Sequence, residues 1–164
     1  MGILNFNEFV NERWAIDMPE EHRVAAGVAI IWNNKILLVH PTNASWRKPT
    51  LGIPKGKLDR PDEEPILAAL RELEEETSIV LSQDQLDPES HQVIFYKNGK
   101  PDGRLIYFVC NIEDLSEIGL DSERLPKSTL QEEEVDWAGF LSADDAYPKI
   151  STSQLIIIDR HLTK

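Results

Sequence analysis

Residues 56–79 read GKLDRPDEEPILAALRELEEETSI, and the six positions from Arg71 to Glu76 hold one arginine and four glutamates. Like charges three or four apart on a helix repel, each pair costing roughly a few tenths of a kcal/mol. Yet the stretch is otherwise a good helix. Pro65 suits a first turn, where a missing N–H does no harm, and Asp62 is the expected N-cap. At about 100° per residue, Ile66, Leu67, Leu70 and Leu73 form one apolar stripe. Glu72, Glu75 and Glu76 fall on an arc of about 100° on the opposite side. Two readings are open: the acids solvate a surface, or they gather for a cation.

Upstream, five cations fall within fourteen residues: Arg47, Lys48, Lys55, Lys57 and Arg60. The chain as a whole carries a formal net charge of −12. That charge argues against duplex nucleic-acid binding, which needs a basic footprint. It is compatible with a nucleotide or an RNA end, whose phosphates would meet the local cations and a metal ion.

The rest of the chain frames the helix. RVAAGVAIIWNNKILLVH (23–40) reads as two strands joined at Asn33-Asn34, residues that tolerate the positive φ of a tight hairpin. PTNASWRKPTLGIPKGK (41–57) reads as an irregular loop, rich in Pro and Gly. HQVIFYK (91–97) and RLIYFVCNI (104–112) are strands flanking the turn NGKPDG, and 113–130 is a long loop or partial helix. EEVDWAGFLS (133–142) follows as a strand, ADDAYPKI (143–150) as a short helix, and STSQLIIIDRHL (151–162) as a terminal helix capped by Ser151 or Ser153. Irregular alternation of strands and helices points to an α/β fold, a mixed sheet with helices on its faces.

At 164 residues the chain is expected to be a single domain, 1–164, with residues 1–21 as an N-terminal extension. Within it, ILNFNEFVNER (3–13) reads either as an amphipathic helix or as an extended segment on the core. No apolar run is long enough to span a bilayer, and no signal-peptide pattern is present. The single cysteine, Cys110, fits a reducing compartment and reads as a buried thiol. The expected location is cytoplasmic.

The quoted stretch resembles the Nudix box, G-x5-E-x7-R-E-U-x-E-E-x-G-U, where U is a bulky aliphatic residue. Glu63 is followed by seven residues and then by Arg71-Glu72; Leu73 is the first U, Glu75-Glu76 the acidic pair, Ile79 the last U. Two departures stand out. Gly56 lies one residue farther from Glu63 than the pattern has it, so that strict counting would select Asp62. Ser78 replaces the glycine, at a cost of about 1 kcal/mol if that position is left-handed.

The resemblance implies a Nudix-like α/β/α sandwich and a hydrolase of nucleoside diphosphates linked to another moiety, dependent on Mg2+, with Mn2+ as an alternative. It implies Glu72, Glu75 and Glu76 as metal ligands, with a main-chain carbonyl of Lys55 or Gly56. Glu63 would orient this cluster or bind a further metal, and Arg71 would orient a box carboxylate. The general base is a box glutamate such as Glu75 or one of Glu132, Glu133 and Glu134, with Glu134 preferred. Lys55, Lys57, Arg47 and Lys48 are candidates for substrate phosphates. Trp46 either stacks on a nucleobase or caps the core. His22, His40, His91 and His161 show no ligand spacing and receive no role.

The element GIPKGKLD (52–59) resembles the variant found in hydrolases of diadenosine tetraphosphate, of capped RNA and of diphosphoinositol polyphosphates. This favours a dinucleoside polyphosphate or a capped or triphosphorylated RNA end as substrate. The alternatives are a nucleoside triphosphate or nucleotide sugar, and, in a different class, a catalytically silent module binding a nucleotide or a protein.

Overall fold

A computed structural model describes residues 23–164; the expected N-terminal segment 1–21 and His22 lie outside them. The six strands are β1 (Arg23–Trp32), β2 (Lys35–Pro41), β3 (Lys55–Lys57), β4 (Ser90–Lys97), β5 (Lys100–Ile112) and β6 (Val135–Ser142). They form one sheet in the order β4-β5-β1-β2-β6, with β3 added on β1. β1 and β5 run parallel and the other pairs antiparallel, so the sheet is mixed, as expected. The helices are α1 (Pro65–Thr77), α2 (Ala143–Ala146) and α3 (Leu155–His161).

Alternation along the strands builds the two cores. From β1, Ala26, Val28 and Ile30 face one side, where they meet Ala68, Ala69 and Leu73 of α1. Ala25 and Ala29 face the other, with Ile157 and Ile158 of α3. Small residues on α1 let helix and sheet approach closely. Leu73 is fully buried between them, and truncating it to alanine would cost about 2–5 kcal/mol.

The Asn33-Asn34 turn has both residues at positive φ, as expected, 49° and 55°. In the later hairpin only Asn98 and Gly99 turn, at φ 53° and 76°; Lys100–Gly103, read as turn, already belong to β5. Segment 113–130 contributes two short 3-10 turns, Leu115–Ile118 and Lys127–Thr129. Cys110 is buried, and burial pushes its thiol up to about 11.

Four further readings of the sequence are corrected by the fold. Glu64, not Asp62, is the N-cap of α1, because the residue before Pro65 must be extended. Asp62 lies exposed, paired with Arg60 at 3.3 Å. Leu67 does not join the buried stripe: it is exposed, and Ala68, Ala69, Leu73, Glu76 and Thr77 form the buried face instead. Ser151 stands at the N-cap of a 3-10 turn, Thr152–Gln154, that leads into the last helix, but its side chain makes no cap bond; Ser153 lies inside that turn, and α3 itself starts after Gln154.

The fourth correction is the strand β3, hidden in the loop 41–57. Its sequence, Lys-Gly-Lys, has no β signature; its partner makes it a strand. β1 pairs with β2 only at Ile31 and Trp32, after which β2 diverges. β3 fills the opened edge through Ala25↔Lys57, Ala26↔Gly56 and Gly27↔Lys55. Gly27 has to be glycine here, since a Cβ would stand 2.6 Å from the Pro54 carbonyl oxygen.

Candidate active site

The three acids of α1 are not equivalent. Glu76 turns inward and is 7% exposed, so it shares the face of Leu73 rather than opposing it. The acidic arc is rotated towards β3, not towards open water. Glu72 is half-buried, and Glu75 stands at the outer edge with its side chain 48% exposed.

Arg71 organises the outer part. Its Nε and Nη2 donate to the two carboxylate oxygens of Glu63 at 3.2 and 3.1 Å. Nη1 donates to Glu72 at 2.9 Å and reaches Glu75 at 3.5 Å, while Nη2 also donates to the Lys57 carbonyl at 3.2 Å. Asp59 completes the ring, 3.2 Å from Nε, and its own N–H donates to Glu63 at 2.7 Å. The hydrogen bond from Arg71 holds the Glu63 carboxyl below the usual carboxylate range, and the same partners raise the guanidinium pKa further. Glu63, rather than Asp62, therefore occupies the position that the helix phase selects. The extra loop residue is absorbed among exposed Arg60, Pro61 and Asp62.

The inner part is different. Burial pushes the Glu76 carboxyl up to about 8, and neighbouring Glu72 and Glu134 add to the rise. The Lys55 ammonium and a hydrogen bond from the Lys55 main chain pull the other way. Even so, Glu76 Oε2 is buried without a hydrogen-bond partner. The Glu72 carboxyl is raised as well, by burial first, with the Arg71 bond opposing. Gly56 lies directly against Glu72: a Cβ on it would come within 2.0 Å of the carboxyl carbon. Ala26, its register partner, faces α1, so Gly56 presents bare backbone to the helix acids.

Glu134 is brought to this place by its backbone. The Gln131 N–H donates to the Glu76 carbonyl at 3.1 Å, and the Thr42 N–H donates to the Glu134 carbonyl at 2.9 Å. Of the three consecutive acids in that turn, Glu134 is the one whose charge contributes visibly to the rise at Glu76.

Among the described residues no three carboxylates or imidazoles form a finished coordination cage. Arg71 holds Glu72 and Glu75 in the place of a cation. The donor set nevertheless fits a hard divalent ion: hard oxygens, one orphaned and buried, beside bare backbone at Gly56. A buried carboxylate oxygen without a partner is costly, and a cation beside Glu76 Oε2 would remove that cost.

The basic residues are scattered more widely. Lys55 is half-buried, with Nζ 6.0 Å from the centre of the Phe95 ring. Lys57, Arg47 and Lys48 are exposed. Trp46, 59% exposed, stacks on His40. Of the tyrosines whose facing the sequence left open, Tyr107 is buried and Tyr96 exposed. His40 went unmarked by sequence reasoning. An isolated histidine before a proline carries no pattern, and only the fold brings Asp136 to it.

The family model described as NUDIX domain matches residues 21–160. A crystal structure of an Ap4A hydrolase from C. elegans aligns with TM-score 0.59 at 20% identity, over 84% of this chain and 93% of that one. A MutT NUDIX hydrolase from Burkholderia pseudomallei gives TM-score 0.59 at 24% identity, covering 88% and 100%. A NUDIX hydrolase from Nitrosomonas europaea gives 0.57 at 19%, covering 85% and 87%. No curated protein matches the chain. At these identities the structures establish a shared fold.

Proposed function

Since the chain belongs to the Nudix family of pyrophosphohydrolases, we propose that it is a Mg2+-dependent hydrolase that cleaves the pyrophosphate linkage of a nucleotide with a long phosphate chain. The observation that carries this reading is Glu76: a buried acid with an orphaned oxygen, beside Glu72, Glu134 and the bare backbone of Gly56. Glu72, Glu75, Glu76 and the Gly56 carbonyl would hold the ion, with Mn2+ as an alternative. When bound, such an ion neutralises phosphate oxygens and makes a coordinated water more acidic.

The chain's own residues do the rest. Glu63, through Arg71, sets the orientation of Glu72 and Glu75. Glu134 lies in an exposed turn that faces Glu76 and serves as general base. Water adds to a phosphorus, the anhydride P–O bond breaks, and the water's proton passes to the Glu134 carboxylate. Lys55, Lys57, Arg47 and Lys48 meet the phosphates beyond the reacting one. The whole described chain acts as one domain in this reading. The single buried thiol is in keeping with a cytoplasmic protein; among the described residues no helix is long and apolar enough to cross a membrane.

Within this class a dinucleoside polyphosphate or a 5′-triphosphorylated or capped RNA end is favoured over a nucleoside triphosphate. The Pro54-Lys55-Gly56 element and the cations around it support that choice. A longer chain reaches both the glutamate cluster and the basic residues, and each charge-assisted contact is worth about 1.5–3 kcal/mol. That corresponds to roughly a ten- to hundredfold preference in kcat/KM. The experiment compares diadenosine tetraphosphate, triphosphorylated RNA and ATP with Mg2+, on wild type and on the Lys55→Ala, Lys57→Ala double variant. Equal constants on wild type, or equal losses in the variant, would leave only the broader family activity. No turnover of any nucleotide would favour a silent binding module.

A further inference from the structure

Outside the glutamate cluster, the end of the β2–β6 pair holds a second group that the reaction does not use. His40 is fully buried, and its Nδ1 lies 2.6 Å from Asp136 Oδ1. An ionised carboxylate only accepts, so Nδ1 donates to Asp136. Nε2 is buried and has no hydrogen-bond partner. Trp46 lies flat on the imidazole, with ring centres 3.7 Å apart and planes 7° from parallel. Trp137, register partner of His40, forms a T-shaped pair with the Trp46 indole, ring centres 6.2 Å apart and planes at 83°. Trp46 is thus pinned from behind and from the side, yet 59% of it remains exposed.

A cover for His40 alone would need no indole with most of its surface left in water. A large rigid ring held in one orientation with an open face is what stacking on a planar partner requires. Its place in the fold says which partner. Thr42, four residues before Trp46, is bonded through its N–H to the Glu134 carbonyl and through Oγ1 to the Glu132 carbonyl at 2.6 Å. The platform and the general base therefore hang on the same strand ends. Exposed Arg47 and Lys48 follow Trp46 directly.

We propose that Trp46, backed by the buried His40–Asp136 pair, is a preformed stacking platform for a nucleobase of the substrate. The phosphate chain leaves the base past Arg47 and Lys48 towards Glu134. Trp46 touches the substrate; His40 and Asp136 are positioning residues. Purines, with the larger face, gain most. The inference rests on the nucleotide-substrate reading above and adds to it where the base is held.

AMP serves as the probe, because it contains the base without the scissile linkage. In wild type, AMP quenches tryptophan emission; in Trp46→Phe, which keeps an aromatic ring but not the fluorophore, the quench disappears. A quench that persists in that variant comes from another of the chain's four tryptophans and overturns the proposal. With diadenosine tetraphosphate, Trp46→Ala raises KM about ten- to hundredfold while kcat falls less than about threefold. An unchanged KM also overturns it. Asp136→Asn, with its fold checked by melting, raises KM about three- to tenfold, again with little effect on kcat. If it raises KM not at all while Trp46→Ala does, the positioning role of the pair is overturned. Failure of wild type to hydrolyse any nucleotide would count against the proposed reaction, whereas the AMP titration still decides the platform.

Discussion

Arg71 and Glu76 lie five residues apart on one helix, and their surroundings are opposites. Every donor edge of Arg71 is used: Glu63 twice, then Glu72, Glu75, Asp59 and the Lys57 carbonyl. Glu76 is more deeply buried, faces two other acids, and keeps an oxygen with no partner. The saturated charge is architecture, because its energy is already spent in the fold. The unsatisfied one is where a ligand gains free energy on arrival.

The largest effect tests that distinction directly. Glu76→Gln should reduce turnover at least about a hundredfold, since a ligand to the ion is lost. Its metal-free form should melt higher than wild type at pH 8, because an uncompensated acid has gone. Glu75→Gln should also lose activity about a hundredfold but gain no such stability, being exposed and already next to Arg71. Near-wild-type turnover in both variants would break the metal assignment. A lower metal-free melting temperature for Glu76→Gln would break the contrast itself.

Next comes Arg71→Ala, which removes a partner from Glu63 and Glu72 together. Breaking a partly buried network of this kind should cost about 2 kcal/mol, less than for a fully buried one. For a chain of this size that is roughly 4–8 °C in Tm. An unchanged melt would mean that the network is decorative.

pH separates the two regions further. Glu76 holds its proton more tightly folded than unfolded, about 8 against an ordinary value of 4.5. The folded state then binds the extra proton, and the contribution of Glu76 to metal-free stability falls as pH rises from about 4.5 towards about 8. His161, whose imidazole burial pushes down to about 4, works the other way up to about 6.5, so the fall is clearest above that. Mg2+ binding must expel that proton, so its stabilisation should grow over the upper part of the same range. Melts at pH 6 and 8, with and without Mg2+, read both trends. A Mg2+ shift larger at pH 6 than at pH 8 would reverse the picture.

The smallest effect belongs to Ser78, which stands where the family pattern has glycine. Its φ of 65° is left-handed, as the pattern suggests, but its Oγ donates to the Thr129 carbonyl at 2.6 Å. Gain and loss in Ser78→Gly should cancel to within about 0.5 kcal/mol. A clearly stabilising substitution would show that the hydrogen bond contributes little.

What was legible in the sequence was what repeats or is spaced by a helix. The phase of α1 selected Glu63 over Asp62, and the Asn-Asn turn and the long strands followed from residue type. What failed depended on the partner surface. Periodicity ranked Leu67 as core because leucine is apolar, but the sheet lies so close that alanines face it. The same misphasing put Glu76 with the outward acids. β3 was invisible because three residues carry no period, and the His40–Asp136 pair because 96 residues separate its members.

The clamp between Glu63 and Arg71 has a consequence for how this chain tolerates change. Because Arg71 also grips Asp59 and the Lys57 carbonyl, both ends of the segment 58–62 are fixed in space irrespective of its contour length. Each doubling of such a loop adds only about 0.6 kcal/mol of closure entropy. Residues 60–62 are therefore a natural insertion point: an epitope or a fluorescent reporter placed there should leave the glutamates in register. The same latitude lets the spacing of this motif drift: a strict count along the chain selects Asp62, whereas the folded helix brings Glu63 to Arg71.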